Sequence, residues 1–135
     1  MDLHEQMRAF LAGTPFAVAG ASNDRDKYGN KVLRCYQQNQ RRAIPVHPRE
    51  TVIEGETVFA SLGAIPEPVH ALSIITPPPV TERLVEEAAQ LGIRHVWMQP
   101  GAESPAAIRR AQELGLSVIA GGPCLLVALG YREAP

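Results

Sequence analysis

The sequence predicts an α/β fold, a doubly wound sheet of five parallel strands with helices on both faces. Three observations predict it. Short apolar runs, which suit strands buried on both faces, alternate along the chain with stretches of helical period. Gly92 and Gly115 each close such a helix and open the next run. The segments that follow the runs are unusual loops (20–30, 47–49, 76–79, 99–101 and 121–123), and parallel strands bring all of them to one rim. Alternating strands and helices imply right-handed crossovers. Counting strands along the chain, the expected spatial order is 3-2-1-4-5, with the binding crevice between strands 1 and 4.

Each element has its own signal. Leu3, Met7, Phe10 and Leu11 form the stripe of an N-terminal helix within residues 1–14, ended by Gly13 and Pro15. This helix covers one end or face of the sheet. Phe16 to Ala19 is the first strand, and Gly29, Val32, Leu33 and Tyr36 give the helix after it an apolar stripe. Arg42 to Val46 reads as the second strand, although Pro45 counts against a strand. Residues 50–66 are the least regular, with a short helix starting at Ser61. Ala71 to Thr76 is the third strand, stopped by Pro77-Pro78-Pro79, and Pro79 suits the first position of the next helix. Val80, Leu84, Ala88 and Leu91 line that helix. His95 to Met98 is the fourth strand, Ser104-Pro105 starts a helix, Ser117 to Ala120 is the fifth strand, and Cys124 to Leu129 forms a last apolar turn.

Composition narrows the function. The 135 residues form one domain by the usual size prior. A net charge of −1 gives no electrostatic case for nucleic acid or an anionic membrane. No signal peptide or membrane span is visible, and Cys35 and Cys124 show no metal spacing. A cytoplasmic protein with reduced thiols is the expectation.

The organising stretch is Phe16 to Asn30. A strand, a small-residue turn at Gly20 and a helix make a unit whose helix N-terminus receives an anion through free N–H groups and the positive end of its dipole. Only two of the thirteen Lys and Arg residues are lysines, Lys27 and Lys31, and both fall in this unit. Ser22 and Arg25 stand where a dinucleotide fingerprint needs glycine, so G-x-G-x-x-G is absent. Nor does the end of the second strand carry the acidic residue of an NAD site. It reads His47-Pro48-Arg49, which suits a ribose bearing a phosphate, as in NADP or coenzyme A.

Five motifs in order then resemble a family: Gly20-Ala21-Ser22, Lys27-Tyr28-Gly29-Asn30, Pro45-Val46-His47-Pro48, Thr76-Pro77-Pro78 and Val96 to Glu103. From about Pro15 to Cys124 the chain resembles the small bacterial CoA-binding domain proteins, relatives of the N-terminal domain of the succinyl-CoA synthetase α-subunit. The resemblance implies a Rossmann-like domain with coenzyme A, free or acylated, across the strand ends. It places Ser22 and the Gly20–Asn23 backbone, Ala21 included, at the ligand phosphates. Lys27 falls by the 3′-phosphate or the diphosphate, with Asn30 in the same motif. His47 and Pro48, with Arg49 beside them, border the ribose and adenine. Thr76, Pro77 and Pro78 wall the groove, and Gln99, Pro100 and Gly101 lie near the pantetheine arm. The departure is Gly122-Pro123-Cys124, where the family often reads Asp-Arg-Cys.

No recognisable catalytic set emerges. His47 is the best-placed histidine but has no orienting carboxylate at a telling spacing. Cys124 is a thiol next to an apolar run, a setting that more often means an inert cysteine. The expectation is a stand-alone binder of coenzyme A. An NADP-dependent oxidoreductase and a structural subunit with a vestigial groove remain the alternatives, and a protein partner stays open.

Overall fold

Phe16–Ala19 (β1) is the axis of the sheet. All four residues are buried, Phe16 and Val18 on one face and Ala17 and Ala19 on the other. The computed structural model describes residues 1–133. Ahead of β1 runs α1 (Leu3–Leu11). After it come α2 (Tyr28–Gln38), β2 (Ala43–Val46), a hairpin of β3 (Val52–Ile53) and β4 (Glu56–Thr57), and a 3-10 turn over Leu62–Ala64. The rest is β5 (Ala71–Ile74), α3 (Pro78–Gln90), β6 (His95–Met98), α4 (Pro105–Glu113), β7 (Ser117–Ile119) and α5 (Leu125–Leu129). Five strands pair in parallel in the order β2-β1-β5-β6-β7, the Rossmann-like α/β sheet that was expected.

The expected strand order 3-2-1-4-5 is corrected to 2-1-3-4-5, and Pro45 supplies the reason. In the expected order the second strand would pair on both sides, but a proline has no N–H to give a ladder. In the structure β2 is an edge. The Pro45 carbonyl faces outward and accepts from Phe59 N at 3.2 Å, and His47 N donates to Phe59 O at 3.1 Å. The missing N–H of Pro45 lies on that same outer side. β1 therefore sits between β2 and β5, with Ala19 opposite both Val46 and Ile74. The point where the chain changes direction across the sheet moves to β1 and β5.

Each face is filled by a different kind of packing. Under α1, α2 and α5 the core is aromatic, with Phe16 stacked on Tyr36 at 4.7 Å and Phe10 edge-on to Trp97 at 5.2 Å. Such pairs contribute about 0.5–1.5 kcal/mol beyond the area they bury. Their polar atoms are paired, Tyr36 Oη with Ser73 Oγ at 2.6 Å and Trp97 Nε1 to Pro123 O at 3.0 Å. On the other face Ala88, Ala107 and Ala111 let α3 and α4 lie close over Leu72, Ile74, Val96 and Met98. α1 is capped by Asp2, whose carboxylate accepts from Glu5 N at 2.8 Å. It reaches the far edge of the sheet through Gln6 Nε2 to Val118 O at 3.1 Å.

Three local readings change. α3 starts at Pro78 instead of Pro79, and its buried stripe is Thr81, Val85 and Ala88, while Leu91 is exposed. Val80 and Leu84 are only half-buried because they face an opening. Residues 50–66 contain the β3–β4 hairpin, turned by Glu54 (φ 48°) and Gly55 (φ 80°), a left-handed pair that matches strand twist. Among the described residues no helix is long and apolar enough to cross a membrane.

Two glycines let backbone touch backbone where β1 meets α2. Gly20 has φ +96°, and a Cβ there would lie 2.0 Å from Ile75 O; a Cβ on Gly29 would lie 1.9 Å from Gly20 O. We expect Gly20→Ala or Gly29→Ala to lower stability by about 2 kcal/mol or more in urea unfolding. Gly63→Ala, where the added methyl meets open space, should change it by no more than about 0.5 kcal/mol.

At the opposite end of the sheet, His95 lies with its ring 5.0 Å from that of His70, and its Nδ1 is buried without a partner among the described residues. Burial, and then the His70 ring, hold its pKa below the ordinary 6.5. The unfolded chain therefore takes up this proton first. The stability His95 contributes is present above the ordinary value and is lost as pH falls through the lower folded one. Tm should fall on acidification from neutral pH to about 5.5, and less steeply in His95→Asn; equal slopes for both proteins would exclude this source.

Candidate functional site

The carboxyl ends of β2, β1 and β5 open onto a groove of about 230 Å³. Its floor is Ala19 and Gly20 at the end of β1, with Val46, His47 and Pro48 on one side and Thr76, Val80 and Leu84 on the other. Ala60, Ser61, Leu62 and Glu87 close the third wall, where Leu62 N donates to Glu87 Oε1 at 3.1 Å and so ties the 3-10 turn to α3. Most of this wall was not expected to form a site. Its sequence signal was faint: Val80 and Leu84 were read as core stripe, and Ser61 only as a helix start.

Two helices that follow the groove's strands, α2 after β1 and α3 after β5, start without a side-chain cap. α2 begins after Lys27 and α3 after Pro77, and neither residue's side chain bonds back to its helix. By contrast Ser104 caps α4 by accepting from Ala107 N at 3.0 Å. The first-turn N–H groups and the positive dipole end of α2 thus remain suited to an anion, whereas α3 opens on Pro78 and Pro79, which have no N–H, and Val80 N already donates to Pro77 O at 2.9 Å. Lys27 is exposed at the start of α2.

The loop between β1 and α2 is held from beneath. Asn30 is fully buried, and its Nδ2 donates to Ser22 O at 2.8 Å and Glu54 Oε2 at 3.0 Å. Its Oδ1 accepts from Arg34 Nε at 2.7 Å, and Arg34 Nη2 donates to Arg25 O at 2.8 Å. Asn23 Nδ2 donates outward to Glu50 Oε2 at 2.9 Å and Val52 O at 3.1 Å. Ser22 Oγ accepts from Asp24 N at 3.0 Å, closing a small turn. Ala21 is buried under this loop. The Asn30 side chain is thus committed to shaping the loop, and Arg34 and Glu54 join it there as residues sequence reading missed.

The other expected residues divide in the same way. Gly20, His47, Pro48 and Thr76 line the groove. His47 Nδ1 accepts from both Arg49 N and Glu50 N at 3.0 Å, which leaves the ring proton on Nε2. Arg49 itself is exposed beyond it. Thr76 Oγ1 pairs with Thr81 Oγ1 at 2.8 Å, fixing the turn that Pro77 and Pro78 stiffen. Gln99 is fully buried, with Oε1 accepting from Leu125 N at 2.9 Å and Tyr28 Oη at 3.2 Å. Pro100 and Gly101 are exposed at the rim, Gly101 in the left-handed region at φ 97°. Among the described residues no group of three or more His, Cys, Asp or Glu is arranged to hold a metal.

The site thus sets an apolar slot beside the β1 turn, from which the uncapped start of α2 follows. A family model described as CoA binding domain matches residues 14–130. Over 81 residues the chain is 31% identical to the acetate–CoA ligase [ADP-forming] II subunit alpha of Pyrococcus furiosus, a stretch that covers 59% of this chain and 18% of that subunit. The chain thus spans less than a fifth of that relative's length. A conserved hypothetical protein from Pyrococcus furiosus superposes with a TM-score of 0.81 at 31% identity, covering 86% of this chain and 99% of its own. The dinucleotide-forming acetyl-coenzyme A synthetase 1 of Ca. Korarchaeum cryptofilum, in complex with phosphate and ADP, superposes with a TM-score of 0.71 at 22% identity, over 84% of this chain and 26% of its own. That last likeness is one of fold.

Separating the loop brace from the exposed cation is a direct test of the site's construction. Asn30→Ala should lower stability by about 1–3 kcal/mol, because it strands Arg34 and Glu54 without their partner. Lys27→Ala should leave stability within about 0.5 kcal/mol. Urea midpoints of the two variants measure both.

Proposed function

Because this chain belongs to the CoA-binding domain family, we propose that it binds coenzyme A or an acyl-CoA across the carboxyl ends of β2, β1, β5 and β6. One observation carries this beyond family membership. The apolar slot of Val46, Leu62, Val80 and Leu84 lies against the β1 turn, from which the uncapped α2 end with Lys27 follows. Coenzyme A joins a flat base and an amide-bearing arm through phosphates, and an apolar slot beside an anion-receiving helix start suits the base and the phosphates.

In this reading the Gly20–Asn23 backbone and Ser22 meet the phosphates, with Lys27 on the diphosphate or the 3′-phosphate. His47, through Nε2, and Pro48 border the ribose and adenine, and Arg49 adds charge outside them. Thr76, Pro77 and Pro78 wall the groove. Gln99, Pro100 and Gly101 follow the pantetheine arm, and Asn30 acts through the loop it holds. The ligand chemistry is binding, and no reaction is assigned to these residues.

Calorimetry with coenzyme A, NAD and NADP tests the choice of ligand. We expect coenzyme A to bind tightest; tighter binding of NADP would transfer the site to the oxidoreductase reading, and silence from all three would leave the groove without this role. Lys27→Ala should weaken coenzyme A by roughly ten- to a hundredfold, the equivalent of about 1.5–3 kcal/mol for a hydrogen bond to a charged group. Lys31→Ala should cost much less, with an effect that salt removes. Dephospho-CoA resolves the contact. If the Lys27 partner is the 3′-phosphate, wild type and Lys27→Ala bind it alike, and if the partner is the diphosphate, the variant loses affinity for both ligands.

A further inference from the structure

One corner of the rim has chemistry that the groove does not use. Cys124 precedes α5, half-buried, and its Sγ lies in hydrogen-bond contact with the Tyr28 hydroxyl on the first residue of α2. Tyr28 Oη donates in turn to Gln99 Oε1 at 3.2 Å, and Leu125 N donates to the same oxygen at 2.9 Å. A backbone N–H can only donate, so the Leu125 bond fixes which way the Gln99 amide is turned. Both bonds hold the Oε1 end of this fully buried side chain at the Tyr28–Cys124 corner. Its Nε2 is nevertheless left without a partner among the described residues. A buried amide that donates to nothing is costly, and such a group belongs where a ligand supplies the acceptor. The carbonyls of an amide-bearing arm are acceptors of that kind.

We propose that Cys124 is a thiol-exchange site for the ligand's own sulfur, and that it takes up coenzyme A as a mixed disulfide from the oxidised, disulfide form of that cofactor. The inference rests on the coenzyme A reading above, since the arm that follows Gln99 ends in a thiol. From the β1 turn to the β7 loop the arm crosses three strand spacings, about 14 Å, well within its extended length. The exchange balances without another reagent. The Cys124 proton goes to solvent and Sγ attacks one sulfur of the coenzyme A disulfide, forming the protein–coenzyme A S–S bond. The other coenzyme A leaves as thiolate with the electron pair of the broken S–S bond and takes a proton back from water.

Cys35 explains why the adduct persists. It is fully buried on α2, with Sγ 3.9 Å from Leu125 O. Burial, and then Cys124, push its thiol up to about 11. Near neutral pH it stays protonated and is a poor nucleophile, so it does not displace the bound coenzyme A to form a Cys35–Cys124 bridge.

The test uses the full chain, reduced, freed of reductant and exposed to coenzyme A disulfide, with the product read by intact and peptide mass spectrometry. We expect one coenzyme A per chain, on Cys124, removed by dithiothreitol and not formed in Cys124→Ser. Glutathione disulfide, which lacks the nucleotide, should react at least about tenfold more slowly at equal concentration, because a bound ligand presents its sulfur at an effective concentration in the millimolar range. Calorimetry with reduced coenzyme A on wild type and Cys124→Ser separates the two readings. Tight binding without an adduct, an adduct on Cys35, or equal rates for the two disulfides overturns the exchange site and leaves the binding function intact. No binding of reduced coenzyme A by either protein overturns both.

Discussion

The contact on which the rest of the molecule depends is backbone against backbone, at the crossing of Gly20, Gly29 and the residue that follows β5. Gly20 turns with φ +96° beneath Ile75 O, and Gly29 brings the first turn of α2 onto Gly20 O at a distance that no side chain fits. Ile75 N completes the crossing by donating to Ala19 O at 2.8 Å. This close approach seats the first turn of α2 against the end of β1. The groove is the space this crossing leaves between β2 and β5, and its position follows from two missing Cβ atoms.

A loop this exposed needs an internal frame, and the frame is polar. Asn30 and Arg34, one turn apart on the otherwise apolar face of α2, hold the carbonyls of Ser22 and Arg25 from below. Glu54 at the hairpin tip accepts from Asn30 and lies 3.5 Å from Arg25. The β3–β4 hairpin therefore has a use that its two short strands do not reveal: it carries Glu54 to the loop, and the adjoining Glu50 and Val52 O to Asn23. Buried polar groups are tolerated here because each is paired, and pairing them fixes the backbone of the β1–α2 loop.

Charge and apolarity are then distributed to suit a ligand with both. The slot walls are aliphatic side chains, buried on β2 and the 3-10 turn (Val46, Leu62) and half-buried on α3 (Val80, Leu84), and Leu62 N ties the turn to α3 by donating to Glu87. The N–H groups free for an anion are those at the uncapped start of α2, which follows the β1 turn on the slot's floor.

Local pattern was enough to determine the five strands, the helices between them and the rim on which the loops gather. These follow from apolar runs, helical period and glycine stops, which act over a few residues. Even the strand order had a local mark, since Pro45 excludes a strand paired on both sides, although its meaning appears only when the edge is seen. Other features had no such mark. Gly29 serves the close helix–strand packing nine residues after Gly20, so no fingerprint spacing exposes it. Whether Asn30 and Gln99 turn toward a ligand or into the protein depends on partners far along the chain, Glu54 for one and Leu125 for the other. Leu62 and Glu87 meet across 25 residues, and Tyr28 and Cys124 across 96. Secondary structure is set by neighbours in sequence, whereas a site is set by neighbours in space, and only the folded sheet decided which residues those were.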